Sequence, residues 1–164
     1  PKPVPQHEKI LFDAKAFNHR DCINYLDRNV IAEGYTPIQL AITNNSQQYI
    51  EFNLDKINLE LLSANIVAES VYQSVIARAL GYGIPGLFIW PFLIPAVADS
   101  LWASEANEKL LRDYLGKEIQ NKTLMPNSNH EGLIFVANHN YRNNLEVTLL
   151  DRDSQTKIIC NAYL

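Results

Sequence analysis

The side chains able to do chemistry are few and do not assemble into a reaction centre by spacing alone. The four histidines, His7, His19, His130 and His139, fall in expected loops or strand edges, with no pair at i, i+4 and no HExxH or HxH arrangement for a metal or a general base. Cys22 and Cys160 are far apart and form no CxxC or Cys/His ligand set. They are expected either as buried free thiols or as a disulfide closing a long loop. Asp13, Asp21, Asp27, Glu33, Glu51 and Asp55 are dispersed singly, as on a solvated face rather than as a carboxylate pair.

Gly81-Tyr82-Gly83-Ile84-Pro85-Gly86 spells GxGxxG, but it follows a helical pattern and contains a proline. A dinucleotide fingerprint needs a strand before it and a helix N-terminus after it. No GxSxG is present, and neither cysteine has a histidine beside it to activate a nucleophile. The sequence therefore predicts no enzyme, no catalytic residue, no cofactor and no metal. Asn44-Asn45-Ser46 and Asn121-Lys122-Thr123 match the N-glycosylation triplet, which matters only on a eukaryotic secretory route.

A net charge of −4 and a pI near 5.5, with no basic stretch, exclude a duplex-DNA binder, since neutralising phosphates takes many Lys and Arg. With 164 residues, 47% of them hydrophobic and 20% charged, the chain suits one folded domain. Pro1, Pro3 and Pro5 open it without an initiator Met or an apolar leader, which reads as a processed or truncated N-terminus.

The elements that would carry any site are mostly strands. Ile10, Phe12, Ala14 and Ala16 alternate with Leu11, Asp13 and Lys15, the mark of a half-buried strand over 8–17. Residues 18–34 have no clear period and are expected as an irregular crossover with one short strand. Ile38, Leu40 and Ile42 predict a strand over 36–43, turning at Asn44-Asn45-Ser46 in a hairpin with 48–53. Ile57, Leu59 and Leu61 predict a further strand. Late in the chain, strands are expected over 132–137, around Leu145, Val147 and Leu149, and over 158–163, with Asp151-Arg152-Asp153-Ser154 as the turn between the last two. About seven strands predict an immunoglobulin-like antiparallel β-sandwich.

Between the two strand groups the period lengthens. Val67, Val71 and Val75 predict a helix over 64–80, and Ala103, Ala106, Leu110 and Tyr114 a second over 99–116, capped by Asp99 or Ser100. The expected organisation is one domain, 1–164, whose sandwich halves are 8–62 and 122–164. A helix, apolar hairpin, helix insertion, 64–117, separates them.

From Ala79 to Ala98 there is no charge, and 20 residues is the length of a helix crossing a bilayer. Pro85, Pro91 and Pro95 each remove a backbone donor, and Gly81, Gly83 and Gly86 crowd its first half, so a continuous spanning helix is not expected. Three alternatives stand: an apolar hairpin buried on its own domain or a neighbour, an interfacial or re-entrant membrane contact, and a true span. Leu87, Phe88, Trp90, Phe92 and Trp102 are the contact candidates, being large apolar or amphipathic side chains whose exposure marks a protein or lipid interface.

The run Asp21-Cys22-Ile23-Asn24-Tyr25-Leu26-Asp27-Arg28, with Gly34-Tyr35-Thr36-Pro37-Ile38-Gln39-Leu40 and Asn44-Asn45-Ser46, resembles small uncharacterised envelope proteins and lipoproteins of intracellular bacteria. The likeness continues through Gly81-Tyr82-Gly83, Trp90-Pro91-Phe92, Ile94-Pro95-Ala96, Glu105-Ala106-Asn107 and Gly132-Leu133-Ile134-Phe135-Val136, and covers most of the chain. These motifs are structural, not catalytic. The resemblance implies a periplasm-facing, outer-membrane-associated subunit with protein partners. One setting is an accessory part of the Dot/Icm type IVB secretion outer-membrane core complex. Any lipidated cysteine would lie upstream of Pro1. The alternatives are a module that inserts 79–98 into a leaflet, or a carrier with a hydrophobic ligand between helices and sandwich.

Overall fold

The computed structural model describes residues 9–81 and 101–164, with side chains described over 9–74 and 107–164. Among them, two four-stranded sheets form, each built largely from period-two segments whose alternate side chains are apolar. The first runs in the order β1 (Ile10–Ala16), β2 (Tyr35–Asn44), β6 (Ser128–Ala137), β4 (Leu61–Leu62). The second runs β5 (Lys122–Leu124), β3 (Ile50–Phe52), β7 (Asn144–Asp151), β8 (Lys157–Tyr163). All pairings between these strands are antiparallel.

The two sheets enclose one core. Ile38, Leu40 and Ile42 of β2 and Ile134 and Val136 of β6 face Ile50 and Phe52 of β3 and Leu145, Val147 and Leu149 of β7. The opposite face of β6 is buried as well, because Leu133 and Phe135 meet helices. That is why 133–137 reads as an unbroken apolar run: here the first sheet is the middle layer of three, and this half of β6 has no solvent face.

The third layer is helical. α1 (His19–Leu26) starts in a reciprocal cap, with Asn18 Oδ1 accepting the Asp21 N–H and Asp21 Oδ2 accepting the Asn18 N–H, both at 3.0 Å. It ends at Asp27 in the left-handed region, φ 55°. A 3-10 turn, Val30–Glu33, follows and stops at Gly34, where φ of 101° favours glycine. α2 (Ala64–Gly81) and α3 (Leu101–Lys117) pack on each other and on β6. Val67, Ala68 and Val71 meet Cys22, Leu26 and Val30 of the first segment, and Tyr114 stacks on Phe135 with ring centroids 5.9 Å apart.

Three expectations need correction. Residues 18–34 are helical, not an irregular crossover with a strand; α1 buries only Cys22 and Leu26, one i, i+4 pair, too narrow a stripe to show as periodicity. β2 and β3 are no hairpin, since they lie in different sheets and Asn44–Ser46 carries the chain from one to the other. The segment expected as a strand through Ile57, Leu59 and Leu61 is a 3-10 turn (Leu54–Lys56), an isolated bridge from Ile57 to Val147, and the two-residue β4, because it crosses back between sheets. Among the described residues the strands number eight, and each sheet takes strands from both sequence halves, 8–62 and 122–164.

Asn44 anchors the sheet-to-sheet crossing. Fully buried, its Nδ2 donates to the carbonyls of Gln48 at 2.8 Å and Met125 at 3.0 Å, while Oδ1 accepts from Ser46 N–H at 3.0 Å and Ser46 Oγ–H at 2.6 Å. A glycan on this asparagine would replace one of the two Nδ2 hydrogens, and so cost at least one of these donations, at a fully buried position. The Asp151–Ser154 turn forms as expected, with Asp151 Oδ1 accepting from Asp153 and Ser154 N–H.

Candidate functional site

Of the contact candidates, Leu87, Phe88, Trp90 and Phe92 lie outside the described residues. Trp102 is placed on the α3 backbone, its side chain outside them too. The Ala79–Ala98 hairpin reading falls there as well, apart from the helical backbone through Gly81. The structure does define the base that carries this segment.

α2 and α3 are antiparallel and rooted side by side. The Glu118 carboxylate, one residue past α3, accepts the Ala64 N–H that opens α2 at 2.7 Å, and Tyr114 shares a core with Ala64 and Val67. Lys117 fastens the same end to α1, pairing with Asp113 at 2.7 Å, lying 4.9 Å from the Tyr25 ring centroid and donating to the Tyr25 carbonyl. Gly81 and Leu101 are thus the remote ends of two helices fixed to one face of the first sheet. Among the described residues no helix is long and apolar enough to cross a membrane.

The space between helices and sheet is filled. Cys22, Leu26, Val30, Ala64, Val67, Ala68, Tyr114, Leu133 and Phe135 are all inaccessible to solvent. The space found instead is a cleft of about 430 Å³ at the open side of the sandwich. Leu54, Ile57, Leu59, Leu61 and Leu62 form its walls and Ile134 its floor, with Asp55, Ser63 and Glu118 also lining it. It exists because β4 is only two residues long and reaches just Phe135 and Val136, while the next bridge along β6 joins Leu133 to Glu118. The gap between those contacts opens on the inter-sheet core. Neither β4's brevity nor this cleft has a signature in the sequence, where Ile57, Leu59 and Leu61 simply look like a strand.

The titratable groups are structural in character. Cys22 and Cys160 are free thiols, one in each core, so no bridge joins them. Burial raises the Cys22 thiol and pushes that of Cys160 up to about 11, so both stay protonated and unreactive near neutrality. Burial also raises Tyr114, whose hydroxyl has no hydrogen-bond partner among the described residues, and Tyr141. His130 Nε2 contacts the Gln120 carbonyl at 2.7 Å and its ring meets Phe52 edge-on. Among the described residues no three His, Cys, Asp or Glu side chains gather as a metal site.

Fold and cleft together define an antiparallel β-sandwich with a helical hairpin on one face. No family model matches the chain, and no curated protein matches it. A FixG-related protein from Vibrio parahaemolyticus aligns over 94% of this chain and 95% of its own, at 10% identity and a TM-score of 0.35. That level of similarity is too low to assign a narrower class.

Proposed function

We propose that the protein is a non-enzymatic interaction subunit of a bacterial cell-envelope assembly, an immunoglobulin-like sandwich that docks through the apolar sequence joining α2 to α3. The observation that carries this is the Glu118–Ala64 root. α2 starts and α3 ends on one face of one sheet, so the two helices that flank the uncharged sequence 79–98 are rooted on the same side of the domain. An uncharged apolar segment of that composition, carried between two braced helices, suits burial against another subunit. Covering about 500 Å² of it would contribute a gross hydrophobic term of ~12 kcal/mol before association costs.

The strand order supports the immunoglobulin-like reading. The order β1-β2-β6-β4 over β3-β7-β8 is compatible with that of a constant-type sandwich, and β5 extends the β3 edge although it follows β4 in the chain. The resemblance to envelope proteins of intracellular bacteria supports a periplasm-facing, outer-membrane-associated setting, the Dot/Icm core complex among them.

The second reading is insertion of the same segment into a leaflet. Liposome flotation separates the two. The protein-docking reading expects no flotation of the isolated chain with vesicles. Flotation that survives high salt and disappears in Trp90→Asp/Phe92→Asp would establish the lipid reading instead.

A further inference from the structure

We propose that the cleft between β4 and the Ile57 bridge is a binding site for a small amphipathic cation, an apolar chain or ring carrying one ammonium or amidinium group. It is a half-open cleft of about 430 Å³, within the size range of ligand pockets, and six of its nine lining residues are apolar. Its floor is the core itself, because Ile134, Ile57 and Leu59 belong to the cluster between the sheets. An apolar group entering there extends that core across an edge that β4 leaves uncovered.

The sign of the charge follows from the polar lining. Asp55 and Glu118 are both acidic, and no Lys, Arg or His lines the cleft. The N-terminus of α2, beside Ser63, opposes them with an effective charge of roughly half a unit. Three of its first donors are already engaged: Ala64 N–H by Glu118 Oε1, Ile66 N–H by Ser63 Oγ at 3.5 Å, and Val67 N–H by the Ser63 carbonyl at 3.3 Å. An anion would therefore find two carboxylates and a helix terminus most of whose donors are taken, whereas a cation finds two carboxylates. Glu118 also accepts from Gln120 Nε2 at 3.2 Å on Oε2, which leaves lone pairs on both oxygens for a further donor. The site is independent of the docking segment and stands or falls separately from it.

Methyl-resolved NMR titration of the full chain with decylammonium and, separately, decanoate tests this. The two share a chain and differ in the sign of the head group. Decylammonium is expected to shift the Ile57, Leu59, Leu61 and Ile134 methyls saturably, at a Kd at least tenfold below that of decanoate. In Asp55→Asn/Glu118→Gln, which keeps the amide oxygen able to cap Ala64, the preference should fall below threefold. Leu61→Trp, which fills the cleft, should weaken both ligands. Absence of saturable shifts at these methyls, or decanoate binding as tightly as decylammonium to the unaltered protein, overturns the proposal whatever the variants do. Shifts confined to other methyls do so equally.

Discussion

Glu118 Oε1 accepts the backbone N–H of Ala64 at 2.7 Å, joining the end of α3 to the start of α2 across 54 residues of chain. A side chain from the far end of the insertion thus serves as the N-terminal cap of its first helix. Capping groups of this kind contribute about 1 kcal/mol, and Glu118 does so while also lining the cleft. Glu118→Ala should lower stability in urea by about 1–2 kcal/mol, with Glu118→Gln retaining most of it. Equal loss in both variants would show that charge, not the cap, is what matters.

Asn44 should be the costliest polar position. Its amide serves five backbone or hydroxyl groups, and Asn44→Ala leaves the Gln48, Leu124 and Met125 carbonyls without it. A loss of about 2–4 kcal/mol is expected from equilibrium unfolding. Asn44→Asp should cost at least as much, since it removes both donors and places a negative charge beside the same carbonyls.

Gly132 is set by close approach. A Cβ there would lie 2.8 Å from the backbone N and Cα of Ile119, whose N–H donates to the Leu133 carbonyl. Gly132→Ala must move that segment and should destabilise by about 1–3 kcal/mol, read as a lower thermal midpoint. Tyr114→Phe, by contrast, removes a buried hydroxyl that lacks a partner among the described residues and should leave stability unchanged or slightly raised.

These positions show what a linear reading reaches. The alternation in β1, β2, β7 and β8 was legible because each has one face on the sandwich core, and the valine spacing of α2 was legible because one stripe packs on β6. α1 was not, because Cys22 and Leu26 alone carry its burial. The switch of sheet at Asn44 was not either, since an asparagine that crosses between sheets has the same local sequence as one that turns a hairpin. Glu118, Gly132 and the cleft depend on contacts between distant segments, and no spacing rule reports those.

Acid stability should carry the signature of Asp21. The Asn18 backbone hydrogen bond, and then Lys15 at 3.0 Å, hold its carboxyl below the ordinary 3.8. A depressed folded pKa stabilises above the unfolded value and loses that contribution as pH falls through the folded one. Stability measured downward from about pH 5 should therefore drop less steeply below pH ~4 in Asp21→Asn than in the unaltered chain. Parallel curves would remove the capping box from the account.

Both thiols should be silent in the native state. Cys22 and Cys160 are buried and their pKa values raised, so a thiol-specific reagent should modify neither at neutral pH and both in denaturant. Rapid native modification of one would show that its core opens locally.

The central claim is that 79–98 docks the domain onto protein partners. The direct measurement is capture from solubilised envelope membranes, comparing the intact chain with one whose residues 79–98 are replaced by a Gly/Ser linker. NMR spectra of the sandwich methyls serve as the control for folding. The account predicts discrete partner proteins with the intact chain and their loss with the folded replacement. The same partners retained by the folded replacement would contradict it.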